Sequence, residues 1–188
     1  MKRLFLLLMV LILSLSLVAC GGGGDAEEAA PDASIPEASD VTLVTKEANY
    51  TTLLVPSDFA EFQTADGGAA VVEGPSSNIV VTNTIETDVV IEDITQDYMI
   101  SLLESSYSNI EVLEFVNPAS VAGVDAVFIQ VTGDGATSGK NKTVCYIMMF
   151  FSIDGVNCEQ HVALTYDTGA GTSLEANLAE IIESISLE

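Results

Sequence analysis

The chain has no tryptophan and very little positive charge: its 188 residues carry five Lys and Arg against 28 Asp and Glu. That balance excludes nucleic acid as a partner, because such binding rests on neutralising phosphates with Lys and Arg. It also excludes a domain lying flat on anionic lipid, which attracts basic segments. Histidine is scarce as well, with His161 the single copy. Long apolar runs are missing too. The longest uncharged and almost wholly apolar run, Leu4 to Val18, has 15 residues, short of the roughly 20 that cross a bilayer as a helix.

That run follows Lys2 and Arg3 and ends at small Ala19, the layout of a secretory signal peptide. The next residue is a cysteine, followed by four glycines. Leu17-Val18-Ala19-Cys20 resembles the lipobox of bacterial lipoproteins. The resemblance implies cleavage between Ala19 and Cys20, with Cys20 becoming the new N-terminus and carrying a diacylglyceryl thioether. Sulfur is required there because a soft nucleophile must accept the lipid. Each buried methylene contributes about 0.8 kcal/mol, so two acyl chains hold where one is marginal. The expected location is the extracytoplasmic face of a cell membrane, reached through this anchor. The chain then divides into a signal peptide (1–19), a lipidated N-terminus and flexible tether (20–48), and a folded domain (49–188). Gly, Asp, Glu, Ala, Pro and Ser dominate the tether, a composition unable to bury enough surface to offset its ordering entropy.

Beyond residue 19 only Lys46, Lys140 and Lys142 oppose all 28 acids, a formal charge of −25. Such a charge favours solubility and repels acidic polymers. Two further cysteines, Cys145 and Cys158, would invite a disulfide in an oxidising compartment. Asp154-Gly155 argues against one. It is a strong hairpin signal, and with those residues as the turn Ile153 faces Val156, Cys158 faces Phe151 and Cys145 faces Leu164. The sulfurs are then about 20 Å apart along the ladder, whereas a bridge needs Cα atoms within about 7 Å.

Three strands are expected early, in "YTTLLVP", "AAVVEG" and "NIVVTNTI", with "SDFAEFQ" a connecting loop. The spacing of Ile94, Tyr98 and Leu102, with Met99 and Leu103 beside them, predicts a helix over 93–107 capped by Thr95 or Asp93. Strands follow in "IEVLEFV", ended by Pro118, in "ASVAGVDAVFIQVT", in "KTVCYIMMFFSI" and in "VNCEQHVALTY". Thr172-x-x-Glu175 matches a capping box for a last helix whose apolar stripe includes Leu174, Leu178, Ile181, Ile182 and Ile185. The 143–153 strand is apolar at odd positions (Cys145, Ile147, Met149, Phe151) and at even ones (Tyr146, Met148, Phe150). It should therefore be central and covered on both faces. The expected fold class is α+β: an α/β/α sandwich with a central, mainly antiparallel sheet and two main helices, one on each face.

Leu54-Val55-Pro56-Ser57-Asp58-Phe59, Val121-Ala122-Gly123-Val124 and Ile181-Ile182-Glu183-Ser184-Ile185 together resemble the PsbP-like family across about residues 49–188. These motifs are a turn, a glycine and a packing stripe, so no functional residue is carried over. The resemblance implies a binding or assembly role, because known members act as partners rather than catalysts.

No catalytic residue, metal site or cofactor is expected. Strand alternation sends Cys158 and His161 to opposite faces. Glu159 and His161 share a face, but a pair falls short of the three or four ligands of a zinc site. No Gly-x-Ser-x-Gly elbow accompanies His161, and "GDGATSG" matches neither an EF-hand nor a phosphate loop. Phe59 and Phe62 are expected to close over a core edge. The functional expectation is a nonenzymatic, lipid-anchored module that binds another envelope protein. A small-ligand or cation receptor is the alternative, and a hydrolase using His161 is a weaker one.

Overall fold

A computed structural model describes residues 41–188. The signal peptide, Ala19, Cys20 and most of the expected tether lie outside the described residues. Within them, the first strands are β1 (Leu43–Ala48), β2 (Thr51–Pro56), β3 (Gln63–Thr64), β4 (Ala70–Gly74), β5 (Ser77–Val81) and β6 (Ile85–Glu86). A 3-10 turn (Ile91–Asp93) leads to helix α1 (Gln96–Leu103). The long strands β7 (Tyr107–Val121), β8 (Val124–Gly135), β9 (Asn141–Ile153) and β10 (Val156–Asp167) come next, then α2 (Ser173–Ala176), α3 (Leu178–Glu183) and β11 (Ser186–Leu187).

The main sheet runs β3-β4-β5-β10-β9-β8-β7, with β6 pairing β10 beyond the end of β5, and every pairing is antiparallel. The β9–β10 register follows from its turn. Asp154 and Gly155 both take positive φ, 52° and 81°, the pair of values a two-residue hairpin of matching twist requires. Ile153 then faces Val156, Cys158 faces Phe151 and Cys145 faces Leu164. Both thiols are free and buried, and burial pushes the Cys145 thiol up to about 12.

Strand β9 divides two cores. Cys145, Ile147 and Met149 pack with Leu53, Val55, Leu174 and Ile181 on one side. Val144, Tyr146 and Met148 pack with Met99, Leu102 and Leu103 of α1 on the other. The layered α+β sandwich is therefore present, with α1 on one face. The other face is covered by α2 and α3 together with a second sheet, β1-β2-β11, which the sequence did not suggest. Thr51 ties that sheet to the main one: its hydroxyl donates to buried Gln160 Oε1 at 2.6 Å, while Gln160 Nε2 donates to the Thr82 carbonyl at 3.0 Å.

Several local expectations are corrected. Residues 43–48, assigned to the tether, form β1: Leu43 and Ala48 are half-buried and buried against β2, enough for an edge strand with polar residues between. "NIVVTNTI" breaks after Val81, because Thr82 turns its hydroxyl to the His161 backbone N–H at 2.9 Å, and pairing resumes only at β6. Pro118 does not end a strand. It lies within β7, the sheet's outer strand, where a missing N–H is tolerated. The chain reverses instead at Ala122-Gly123, both with positive φ, so "ASVAGVDAVFIQVT" contributes to two strands. The last helix is divided at Asn177, whose side chain donates to the Ser173 carbonyl at 2.8 Å and competes with helical continuation. Thr95 is the α1 cap, accepting from Tyr98 N at 3.2 Å. Thr172 caps α2, accepting from Glu175 N at 3.1 Å, while Glu175 Oε2 reaches back to Gly171 N at 3.1 Å.

Phe59 is buried and its ring lies over Gly74; Phe62 is partly buried against the same core. A methyl at Gly74 would run into that ring. Gly74→Ala should therefore cost about 1–3 kcal/mol in urea unfolding, and the penalty should vanish in a Phe59→Ala background because the two changes couple directly.

Candidate functional site

The face of β10 toward α1 carries Glu159, His161, Ala163, Thr165 and Asp167 in alternation. Helix α1 has eight residues, about 12 Å of axis at 1.5 Å per residue. Strand β10 has twelve, about 40 Å at 3.3 Å per residue. So short a helix cannot cover the whole strand: its Met99, Leu102 and Leu103 share a core with Ala163, and its Tyr98 lies near Glu159. Polar groups occupy both ends.

At one end lies a sealed relay. His161 is 2% exposed and Glu159 is 4% exposed. The Tyr146 hydroxyl is 2.8 Å from His161 Nδ1, His161 Nε2 is 3.4 Å from Glu159 Oε1, and the Thr87 hydroxyl donates to Glu159 Oε2 at 2.7 Å. With neutral His161, the tautomer that serves both neighbours carries its proton on Nε2 and accepts from Tyr146 at Nδ1. Burial alone would push the Glu159 carboxyl up. The hydrogen bond and charge that His161 offers, with the Thr87 hydroxyl, overcome it and hold Glu159 below its ordinary value. Burial and then the Glu159 charge push the phenols of Tyr98 and Tyr146 upward. Glu159 and His161 share a face, as alternation requires, but they do not line the cleft described next.

At the other end the sheet is open. A cleft of about 300 Å³ lies between the turn joining β4 to β5, the segment after α1, and the loop joining β8 to β9. Glu73, Asn78 and Thr165 form one transverse row of its floor by register, and Lys142 faces Asp167 one step along. Asp167 joins two lysines: Lys140 Nζ donates to Oδ2 at 2.9 Å, and Lys142 Nζ pairs with Oδ1. Burial works to raise the Asp167 carboxyl, and the two ammonium groups outweigh it and hold it below the usual value. Burial pushes the Glu73 carboxyl up, against the pull of Lys142. Ser106 Oγ, in the cleft wall and sealed from solvent, has no hydrogen-bond partner among the described residues.

Two of the three lysines beyond residue 19 thus meet in one place. Sequence reasoning missed this cleft, because Glu73 and Asp167 are 94 positions apart and only strand order makes them neighbours. The available signal was the position of Lys140 and Lys142 in a chain with so few cations. Among the described residues, no three His, Cys, Asp or Glu side chains gather as a metal ion would need. No described helix is long and apolar enough to cross a membrane.

No family model matches the sequence. No curated protein matches it either. Solved structures do. LpqN, involved in cell envelope biogenesis of Mycobacterium tuberculosis, is 14% identical, with a TM-score of 0.54 over 79% of this chain and 91% of LpqN. The Ran-binding protein Mog1p of Saccharomyces cerevisiae is 13% identical, with a TM-score of 0.49 over 78% of this chain and 96% of Mog1p. At such identity a likeness speaks for fold alone, and with the layered sheet described above the conclusion is that this chain is an α+β sandwich sharing the fold of LpqN.

Proposed function

We propose that the chain is a noncatalytic binding or assembly module of the cell envelope, held at the extracytoplasmic face of a membrane through lipidated Cys20. The observation that carries the binding role is the cleft, an open site lined mostly by polar and charged side chains. The sealed relay supports a noncatalytic reading: His161, the one side chain suited to general base work at neutral pH, is 2% exposed and held by Tyr146 and Glu159. The likeness of fold to LpqN, a protein of envelope biogenesis, fits an envelope role. The lipobox-like Leu17-Val18-Ala19-Cys20 supplies the anchor.

The test uses the full chain expressed in a bacterium, its Cys20→Ala variant, and a Thr137→Trp variant that fills the cleft from an exposed loop position. Wild type should fractionate with membranes and capture an envelope component, Cys20→Ala should lose the membrane fraction, and Thr137→Trp should keep the membrane but lose the capture. Membrane retention by Cys20→Ala overturns the anchor. Equal capture by wild type and Thr137→Trp overturns the cleft as the binding site.

A further inference from the structure

The four charges of the cleft form an open chain of alternating sign. Lys140 pairs with Asp167, Asp167 with Lys142, and Lys142 is coupled by charge to Glu73. The two inner members each face opposite charges on both sides. The two end members each have an opposite charge on one side only. One end is an ammonium, Lys140, whose side chain is 64% exposed, and the other is the Glu73 carboxylate. A simple anion gains little here, because the lining's cations are matched by its own acids and the rest of the domain is strongly acidic. A simple cation meets two lysines. The unfilled positions suit a ligand that carries both signs, with its negative end at Lys140 and its positive end at Glu73.

Register gives the separation those ends must have. Lys140 Nζ lies 2.9 Å from Asp167 Oδ2, and Asp167 on β10 is two strands from Glu73 on β4 and two residues along, so steps of about 4.8 Å between strands and about 3.3 Å along them place the Asp167 and Glu73 backbones about 12 Å apart. Side chains reaching inward shorten this. A free amino acid, with its charges on one carbon, cannot span the gap. An extended peptide advances at most about 3.3–3.6 Å per residue, so two to four residues do span it. The wall between the charged ends is rich in hydrogen-bonding side chains, among them Ser77, Asn78, Ser106, Thr137 and Thr165. These suit the amides of such a ligand. Ser106 Oγ, sealed and without a partner among the described residues, is the kind of group whose desolvation is recovered when a ligand hydrogen-bonds to it.

We infer that the cleft binds short peptides with free termini, the C-terminal carboxylate held by Lys140 and the N-terminal ammonium by Glu73. This rests on the cleft being the binding site proposed above. The probes are trialanine, N-acetyl-trialanine and trialanine amide, titrated calorimetrically and by amide chemical shift into the full chain in detergent, with Lys140→Gln and Glu73→Gln beside it. Both substituted residues are exposed, so the variants should melt with wild type. Trialanine should bind and shift amides of residues 73–78, 105–107 and 135–142, and blocking either terminus should weaken binding about tenfold, as expected for losing one charge-assisted contact. Glu73→Gln should be indifferent to N-acetylation, and Lys140→Gln should be indifferent to amidation. Such a matched pattern would not arise from general electrostatic change. Equal affinity for free and blocked peptides overturns the inference, as does silence of the cleft amides toward trialanine. The underlying reading fails separately, when Thr137→Trp leaves envelope capture unchanged.

Discussion

Truncating Met148 to Ala should destabilise the protein about as much as truncating its neighbour Ile147, each by about 2–5 kcal/mol in urea unfolding. The two side chains point to opposite faces of β9, and both are sealed, Ile147 against the α2–α3 side and Met148 against the α1 side. In an ordinary antiparallel sheet with one face in water, one of two consecutive residues would be exposed, and its truncation would cost within about 0.5 kcal/mol. Equality of two adjacent truncations is therefore a direct measure of double coverage. The two sites also feed separate cores, so the double variant should show near-additive loss, apart from coupling through the shared backbone. A Met148→Ala cost under about 1 kcal/mol would mean that α1 does not hold its face in solution, and the sandwich would be open on that side.

That architecture was legible because one short segment had no polar side. Seven consecutive residues, Cys145 to Phe151, left β9 no face to show to water, and Asp154-Gly155 set its register against β10 without further information. The capping residues were legible for the same local reason, since Thr95 and Thr172 act on backbone N–H groups three residues away. Features that depend on distant partners were not legible. Leu43–Ala48 has one buried residue, Ala48, and becomes a strand only because β2 lies beside it. Pro118 reads as a stop until β7 is known to be an outer strand. The cleft is the extreme case, as its floor takes one residue or two from each of four strands joined out of sequence order. Glu159 and His161 could be placed on one face from alternation. Whether that face was open or sealed depended on where an eight-residue helix stopped.

Replacing Glu159 with Ala should cost about 3 kcal/mol at neutral pH. That is the lower end of the range for removing one partner of a buried pair. The substitution also strands the Thr87 hydroxyl, which donates to Glu159 at 2.7 Å, and opens space beside His161. Glu159→Gln keeps the volume and separates charge from packing, so it should lose less than Glu159→Ala. Its pH dependence is the sharper readout. The folded-state carboxyl titrates below its ordinary value of 4.5, so between the two values the unfolded chain binds more protons than the folded one. Stability from Glu159 is then fully present above about pH 4.5 and is lost as pH falls through the lower, folded-state value. Asp167, also held below its usual value, adds a loss of the same sign, which remains in the variant. The gap in unfolding free energy between wild type and Glu159→Gln should therefore be full above about pH 4.5 and shrink as pH falls below it. A gap that stays constant over that range would mean that Glu159 is held by shape alone, and that the Tyr146–His161–Glu159–Thr87 relay contributes no charge to the fold.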